Sequence, residues 1–70
     1  MKKLESRKAL TKREIEIVSL LSTGLTSRQI SQRLFISETT VVTHRKHILK
    51  KLNATNSAAL IKIAIQESLI

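Results

Sequence analysis

The fold is decided by the stretch Leu25–Leu52, which reads LTSRQISQRLFISETTVVTHRKHILKKL. Thr26, followed by Gln29 three residues later, has the pattern of a capping box that starts a helix. Ser37 is a second N-cap candidate, and only two residues separate it from Leu34 at the end of the first helix. Helices so closely spaced cannot easily pack antiparallel, so the stretch predicts a helix-turn-helix with a steep crossing.

A helix is also predicted before this stretch. Thr11 and Glu14 form another capping box, and an apolar stripe with helical period follows it. The stripe consists of Ile17, Val18 and Leu21. Gly24 can end this helix in the left-handed conformation, which glycine adopts without steric cost. The preceding segment 1–9 is polar and mostly charged, and we expect a basic arm or linker stub there, with the domain itself spanning 10–70.

Two more helix boundaries are predicted towards the C-terminus. The third helix is expected over about 38–52, and Asn53 can end it because asparagine tolerates the left-handed conformation. Thr55 or Asn56 can cap a last helix that runs to about Ser68 and is apolar over much of its circumference. The predicted fold class is therefore all-α: a four-helix domain that contains a helix-turn-helix and ends in a fourth, C-terminal helix.

The chain is small and strongly basic. It has 70 residues, with 13 Lys and Arg against 5 Asp and Glu, and a formal net charge of +8. Such a charge on one small domain favours an anionic partner, although a ribosomal or membrane-surface protein would share it. Cysteine is absent, which excludes disulfides and thiolate metal sites and fits a reducing, cytoplasmic location. No apolar run approaches the ~20 residues that a membrane-spanning helix requires.

One face of the predicted third helix suits contact with DNA bases. Helical spacing places five side chains on this face, away from the apolar stripe of the same helix. They are Thr39, Val42, Thr43, Lys46 and Lys50. Val42 can touch a thymine methyl group, Thr43 can form a hydrogen bond, and Lys46 can reach guanine O6 or N7. We predict base contacts by these three residues; the alternative is a face that is only solvated.

Phosphate contacts should be more numerous than base contacts. The candidates are free backbone N–H groups at helix starts and basic or hydroxyl side chains near them. They are Thr26, Ser27, Arg28, Thr39, Thr40, His44, Arg45, Lys50 and Lys51. For Arg45 the sequence leaves a second position open, along the seam between helices with only its guanidinium in solvent. For Thr26 the alternative is a purely capping role.

The sequence offers little for catalysis or metal binding. His44 and His47 are not spaced i, i+4, and no carboxylate of HExxH type accompanies them, so we predict no metal site. No nucleophile, base and orienting group form a set, and there is no glycine-rich phosphate loop. We therefore predict neither an enzyme nor a bound cofactor.

Taken together, these motifs resemble the LuxR/GerE-type DNA-binding domain of bacterial transcription regulators. The resemblance covers about Leu10 to Ile65 and includes, in order, Leu-Thr-x-Arg-Glu, Gly-Leu-Thr, Ile-Ser-x-x-Thr-Val, Thr-His and Lys-Leu. It implies that the third helix enters the major groove of double-stranded DNA. It also implies that Val42, Thr43 and Lys46 occupy positions that often read bases in the family.

This chain departs from the resemblance at three positions. Asn53 stands where the family often has glycine, and Asn can serve there. Ser57 stands where the family often has arginine, and Ala59 where it often has an acid, which removes the family's polar groups from the start of the last helix. The family usually joins the domain to a receiver or ligand-sensing domain, so we expect either a free-standing regulator or an excised C-terminal effector domain.

Two other functions share parts of the pattern. A sigma-factor region-four domain has a helix-turn-helix and binds promoters as part of RNA polymerase, but the long apolar last helix speaks against it. A protein-interaction module with an incidental basic face is the alternative from another class. For a regulator, RNA polymerase is a further candidate partner.

The last helix also predicts a homodimer, as the family resemblance does. A helix that is apolar nearly all round must be covered all round, and three preceding helices can cover only one side. The inward side is expected to hold Leu60, Ile61, Ala64 and Leu69. The face predicted for a second copy comprises Ala59, Ile63, Gln66 and Ile70. Because that face is small and mixed, we expect a weak dimer that assembles on DNA carrying two half-sites.

Overall fold

The computed structural model describes residues 10–70 and shows four helices over that range. They are α1 (Lys12–Ser22), α2 (Ser27–Leu34), α3 (Glu38–Lys51) and α4 (Ser57–Gln66). No strand occurs between residues 10 and 70, so the all-α prediction is confirmed for this range. The predicted arm over 1–9 lies outside the described residues, and the domain boundary stays a prediction.

The first two helices begin with the predicted capping boxes. The Glu14 backbone N–H donates to Thr11 Oγ1 at 3.1 Å, and the Thr11 N–H donates to Glu14 Oε1 at 2.9 Å. Thr26 and Gln29 repeat the arrangement at 3.1 and 2.9 Å. Each box satisfies backbone donors that the first turn of a helix leaves free.

The last two helices begin with single caps. Ser37 Oγ accepts the Thr40 backbone N–H at 3.0 Å, which confirms Ser37 as the cap of α3. Asn56 Oδ1 accepts the Ala59 N–H at 2.8 Å, so Asn56 rather than Thr55 caps α4. These local bonds account for the positions at which the chain turns into helix.

Left-handed residues follow the helices. Gly24 has φ of 93° after α1, and Asn53 has φ of 54° after α3, both as predicted. Phe35 ends α2 with φ of 58°, a conformation that is uncommon for a bulky residue. Ser68, at φ of 58°, follows α4, and this helix ends at Gln66 and not near Ser68 as predicted.

The core is aliphatic, and all four helices contribute to it. Its buried members are Leu10, Ile17, Val18, Leu21, Ile30, Val41, Ile48, Leu52, Leu60, Ala64 and Leu69. The list includes the predicted stripe of α1 in full. It also includes Val41, Ile48 and Leu52, the apolar stripe that the helical period predicts for the third helix. On α2, the i, i+4 spacing of Ile30 and Leu34 predicts an inward pair; Ile30 is buried, and Leu34 is partly buried against the core. Among the helices between residues 10 and 70, none is long and apolar enough to cross a membrane.

Candidate nucleic-acid interface

The outer face of α3 is open to solvent along its length. Its five members, at 39, 42, 43, 46 and 50, include four exposed side chains and the half-buried Val42. Val41 and Ile48, on the opposite side of the same helix, are fully buried. Burial of that side fixes the rotation of α3, so hydroxyl, methyl and ammonium groups project together from the domain. The face of α3 that the helical spacing predicts is therefore one continuous surface of the domain.

The start of α2 lies next to α3 in the structure, and its polar groups have mixed roles. Arg28 is exposed, whereas the side chain of Ser27 is buried. The Thr26 hydroxyl accepts the Gln29 N–H, so capping occupies it. At the start of α3, the Thr40 hydroxyl is paired with Ser37 Oγ at 2.7 Å. A ligand at these helix starts would meet chiefly backbone N–H groups and the Arg28 guanidinium.

Arg45 is not a free cation on the outer face. Its Nη1 donates to Ser27 Oγ at 2.6 Å, and its Nη2 donates to Ser57 Oγ. The residue is half-buried, which agrees with the seam position that the sequence left open. The bond to Ser57 is also a polar contact at the start of α4, where the family's usual arginine and acid are absent from this chain. These internal bonds compete with the phosphate contacts predicted for Arg45 and the Ser27 side chain, and those contacts stay predictions.

Lys51 likewise has a partner inside the domain. Its Nζ lies 2.7 Å from Glu14 Oε1, and the Glu14 side chain is only 5% exposed. Burial raises the pKa of Glu14, but hydrogen bonds from Lys51 and Thr11 and the Lys51 charge outweigh it and hold the pKa below its ordinary value of 4.5. The ion pair joins the end of α3 to the start of α1. Lys51 thus supports the packing of α3 on α1, and its predicted phosphate contact stays a prediction.

The histidines lie apart from any metal-binding group. His44 is half-buried and His47 is exposed. Between residues 10 and 70, no group of three or more His, Cys, Asp or Glu side chains is placed to hold a metal ion. His44 remains a candidate for packing and phosphate contact.

The predicted dimer face of α4 is only partly open. Ala59 and Ile63 are half-buried, and Ile63 packs against the core, while Gln66 and Ile70 are exposed. Because α4 ends at Gln66, Ile70 lies beyond the helix, and the helical spacing used to place it on this face does not extend to it. Of the four residues predicted to point inward, Leu60, Ala64 and Leu69 are buried and Ile61 is half-buried. Ile65 belongs to neither predicted set, and it is 59% exposed on the other flank of the helix.

Two hydrogen-bond acceptors of basic side chains on α3, Glu14 and Ser57, were not predicted from the sequence. Glu14 was predicted only as a capping residue, and Ser57 only as a departure from the family. Both are small or short acceptors far along the chain from the cations they bind, by 37 residues for Glu14 and Lys51 and by 12 for Ser57 and Arg45. No local spacing rule links residues so far apart.

An all-α domain with a short turn between α2 and α3, and an open polar and basic face on α3, is a helix-turn-helix DNA-binding domain. The family of bacterial regulatory proteins, luxR family, matches residues 8–64 of the sequence. The chain belongs to this family of DNA-binding transcription regulators, which are not enzymes.

Individual relatives agree with this assignment. The oxygen regulatory protein NreC of Staphylococcus carnosus (strain TM300) is 38% identical over 61 residues, which are 87% of this chain and 28% of NreC. NreC of Staphylococcus aureus (strain JH9) is 36% identical over 63 residues, 90% of this chain and 29% of that protein. The crystal structure of the response regulator ChrA in a heme-sensing two-component system superposes with a TM-score of 0.86 at 52% identity. That match covers 89% of this chain and 31% of ChrA. The chain thus spans less than a third of each relative.

Proposed function

We propose that this chain binds double-stranded DNA sequence-specifically, with α3 in the major groove, as the C-terminal effector part of a bacterial transcription regulator. The observation that carries the proposal is the open face of α3, set by the burial of Val41 and Ile48. A helix that presents hydroxyl, methyl and ammonium groups matches the pattern of donors, acceptors and methyl groups on major-groove base edges. A cytoplasmic location follows from this function in a bacterium.

Three side chains are proposed to read bases. Val42 offers a methyl surface to thymine, Thr43 offers a hydroxyl and a methyl group, and Lys46 offers an ammonium to guanine. Thr43 and Lys46 are exposed, and Val42 is open enough to touch a methyl group.

The proposed phosphate contacts are reduced by the internal bonds of α3. They comprise the backbone at Thr26 and Ser27, with Arg28, Thr39, Thr40, His44 and Lys50. Such contacts set affinity and its dependence on salt more than sequence preference. Arg45 and Lys51 hold the helix in place instead.

Selection of bound duplexes from a random pool, followed by sequencing, tests the proposal. A regulator enriches a defined site, and its affinity for that site exceeds its affinity for random duplex at every salt concentration. Binding that falls steeply with salt but shows no preferred sequence would refute sequence-specific recognition.

A weak homodimer through α4 is the second part of the proposal. The exposed Gln66 and the half-buried Ala59 and Ile63 share one side of α4 by helical spacing and form a small face that a second copy can cover. The exposed Ile70 follows the helix and is proposed to extend this face. Two recognition helices related by a two-fold axis would lie about 34 Å apart and require an inverted or pseudo-inverted site. Sedimentation of the chain with one and with two half-sites on the same duplex measures whether the second copy binds cooperatively.

Contact with RNA polymerase is proposed at the turn of the helix-turn-helix. Phe35 is 94% exposed and lies with Leu25, Gln29, Gln32 and Arg33 along a shallow groove. An aromatic side chain in solvent on left-handed backbone is unfavourable for the isolated domain, so a partner that covers it would stabilise it. Phe35→Ala should lower polymerase recruitment in reconstituted transcription while DNA affinity is retained. Unchanged recruitment would exclude this surface.

A further inference from the structure

The Arg45 guanidinium lies where three helices meet. Arg45 belongs to α3, and its two terminal nitrogens donate to Ser27, the first residue of α2, and to Ser57, the first residue of α4. These acceptors lie 18 and 12 residues away along the chain. One side chain thus joins α3 to the starts of α2 and α4. The start of α2 is proposed to contact DNA phosphates, and α4 is proposed to form the dimer contact.

Charge attraction does not explain this arrangement. A helix start carries a partial positive charge, so a cation placed at two helix starts gains nothing from their dipoles. The gain comes from the two hydroxyl acceptors and from the shape of the donor. A guanidinium is planar and presents its N–H groups in a fixed fork, so two bonds from it define a direction as well as a distance. The buried Ser27 hydroxyl, 8% exposed as a residue, is satisfied by the same bond.

The fork also bears on the recognition face. The neighbour of Arg45 in sequence is Lys46, and helical geometry makes a rotation or shift of α3 at residue 45 move residue 46 equally. A base-reading side chain must be placed to within a fraction of an ångström for a bidentate or directed hydrogen bond. Loss of the fork would leave α3 folded on its apolar stripe but less firmly set in rotation.

We propose that Arg45 is a positioning residue for DNA recognition, which acts through Ser27 and Ser57 and not by binding phosphate. It sets the recognition face of α3 relative to the starts of α2 and α4. The inference rests on the proposed DNA-binding function, and it adds that a polar side chain links the dimer helix to the base-reading helix in addition to their shared core.

The test is a double-mutant cycle on the whole chain, with Arg45→Lys, Ser57→Ala and the double variant. Lysine retains the positive charge but cannot donate to both serines in a fixed fork. Ser57→Ala removes one acceptor without changing any charge. Ser22→Ala is the matched control, since the Ser22 hydroxyl is exposed on α1 and bonds to the Ser19 carbonyl of its own helix. Binding is measured on the selected half-site and on random duplex, over a series of salt concentrations.

Positioning predicts a loss of preference with an unchanged salt slope. The ratio of half-site affinity to random-duplex affinity should fall by roughly twofold to a hundredfold in Arg45→Lys and in Ser57→Ala, the range typical of coupled neighbours. The double variant should be no worse than Arg45→Lys, and Ser22→Ala should equal the wild type. Additive losses, or a wild-type ratio in Arg45→Lys, would overturn the proposal.

A phosphate contact gives a different pattern. Arg45→Met would then lower the salt slope by about 0.9 on every duplex, while Ser57→Ala would have no effect. That result would overturn the positioning role.

A DNA-independent readout separates this inference from the proposed function. If the wild type prefers no sequence, the proposed function fails. Amide chemical shifts then test the hydrogen bonds from Arg45 to Ser27 and Ser57 independently of DNA binding. Arg45→Lys should shift backbone amides at the starts of both α2 and α4, relative to the spectrum of the wild type. Shifts confined to α3 would overturn the fork.

Discussion

Lys50 and Lys51 are adjacent lysines of α3 with opposite surroundings, so their alanine variants separate DNA contact from internal support. Lys50 is exposed on the outer face. Lys51 Nζ lies 2.7 Å from the buried Glu14 carboxylate. Each substitution removes one positive charge, and the two variants are matched in net charge. We expect Lys50→Ala to weaken DNA binding without loss of stability. We expect Lys51→Ala to lower the stability of the fold without loss of a DNA contact.

The magnitude for Lys51→Ala follows from the burial of Glu14. Breaking a fully buried ion pair by removing one partner costs about 3–5 kcal/mol. The Lys51 side chain is 35% exposed, so water already screens this pair, and the Thr11 N–H stays bonded to the carboxylate at 2.9 Å. We therefore expect the free energy of unfolding to fall by about 1–2 kcal/mol. For a domain of this size each kcal/mol lowers Tm by about 4–8 °C.

The magnitude for Lys50→Ala appears in the salt dependence of binding. Each phosphate contact contributes about 0.9 to the slope of log K against log salt, so the slope should fall by about one unit. Affinity should fall similarly on specific and random duplexes, because phosphates carry no sequence information.

Thermal unfolding followed by circular dichroism and duplex titration over several salt concentrations measure both effects. Titrations are run well below the Tm of Lys51→Ala, so that all variants are folded. A Lys51→Ala variant with wild-type Tm and a reduced salt slope would refute the internal role assigned to that lysine. A Lys50→Ala variant with an unchanged slope would refute the phosphate contact.

Four further predictions address other parts of the domain. Lys46→Ala should weaken the selected site by about 1–3 kcal/mol and relax one base position, measured by competition with single-base variants; equal losses on random DNA would exclude base reading. Thr26→Ala should lower stability by about 1 kcal/mol in a denaturant titration, because the cap of α2 is lost, and an unchanged midpoint would contradict the capping role. Glu14 has a lower pKa in the folded than in the unfolded chain, so its stabilising effect is present above the ordinary value of 4.5 and is lost as the pH falls through the folded-state pKa. The pH–stability curve of Glu14→Gln should therefore lie below that of the wild type at neutral pH and approach it in acid, and parallel curves would argue against the ion pair. Ile63→Glu should abolish cooperative filling of a duplex with two half-sites while sparing one half-site, and a large fall in Tm would instead assign Ile63, which packs against the core, to stability. Ile65→Glu, with the same charge on the opposite flank of α4, should retain cooperativity, and the reverse pattern would move the contact to that flank.

The helix boundaries were readable from the sequence because they depend on bonds between residues three or four apart. The capping boxes of Thr11 and Thr26 and the cap at Ser37 all occur where their spacing predicts them. The apolar stripe of α3 was equally clear, because it repeats with the helical period and its opposite face is polar. The stripe also predicted the outer face, because a helix that is buried on one side exposes the other. The residues proposed to read bases could therefore be chosen from helical spacing alone, although their contacts with DNA stay predictions.

The backbone conformation that follows α2 and the burial pattern of α4 were less well determined. Phe35 adopts the left-handed conformation at a position where neither glycine nor asparagine announces it. At α4 the helical wheel identified Leu60, Ala64 and Leu69 as inward, but apolar residues surround the helix, so periodicity did not show which of the others would be covered. Packing against α1 and α3 made that selection, and it left Ile65 exposed and Ile63 half-buried.

What only the tertiary structure decided was the fate of two cations on α3. In the sequence Arg45 and Lys51 look like Lys46 and Lys50: basic residues of one helix in a chain with net charge +8. Folding brings Ser27, Ser57 and Glu14 from other helices to within hydrogen-bond reach of the first pair. A long flexible side chain can turn outwards to a ligand or inwards to an acceptor, and the residue type is the same in both cases. The choice depends on acceptors 12 to 37 residues away, whose positions are set by the packing of the core and by no local rule.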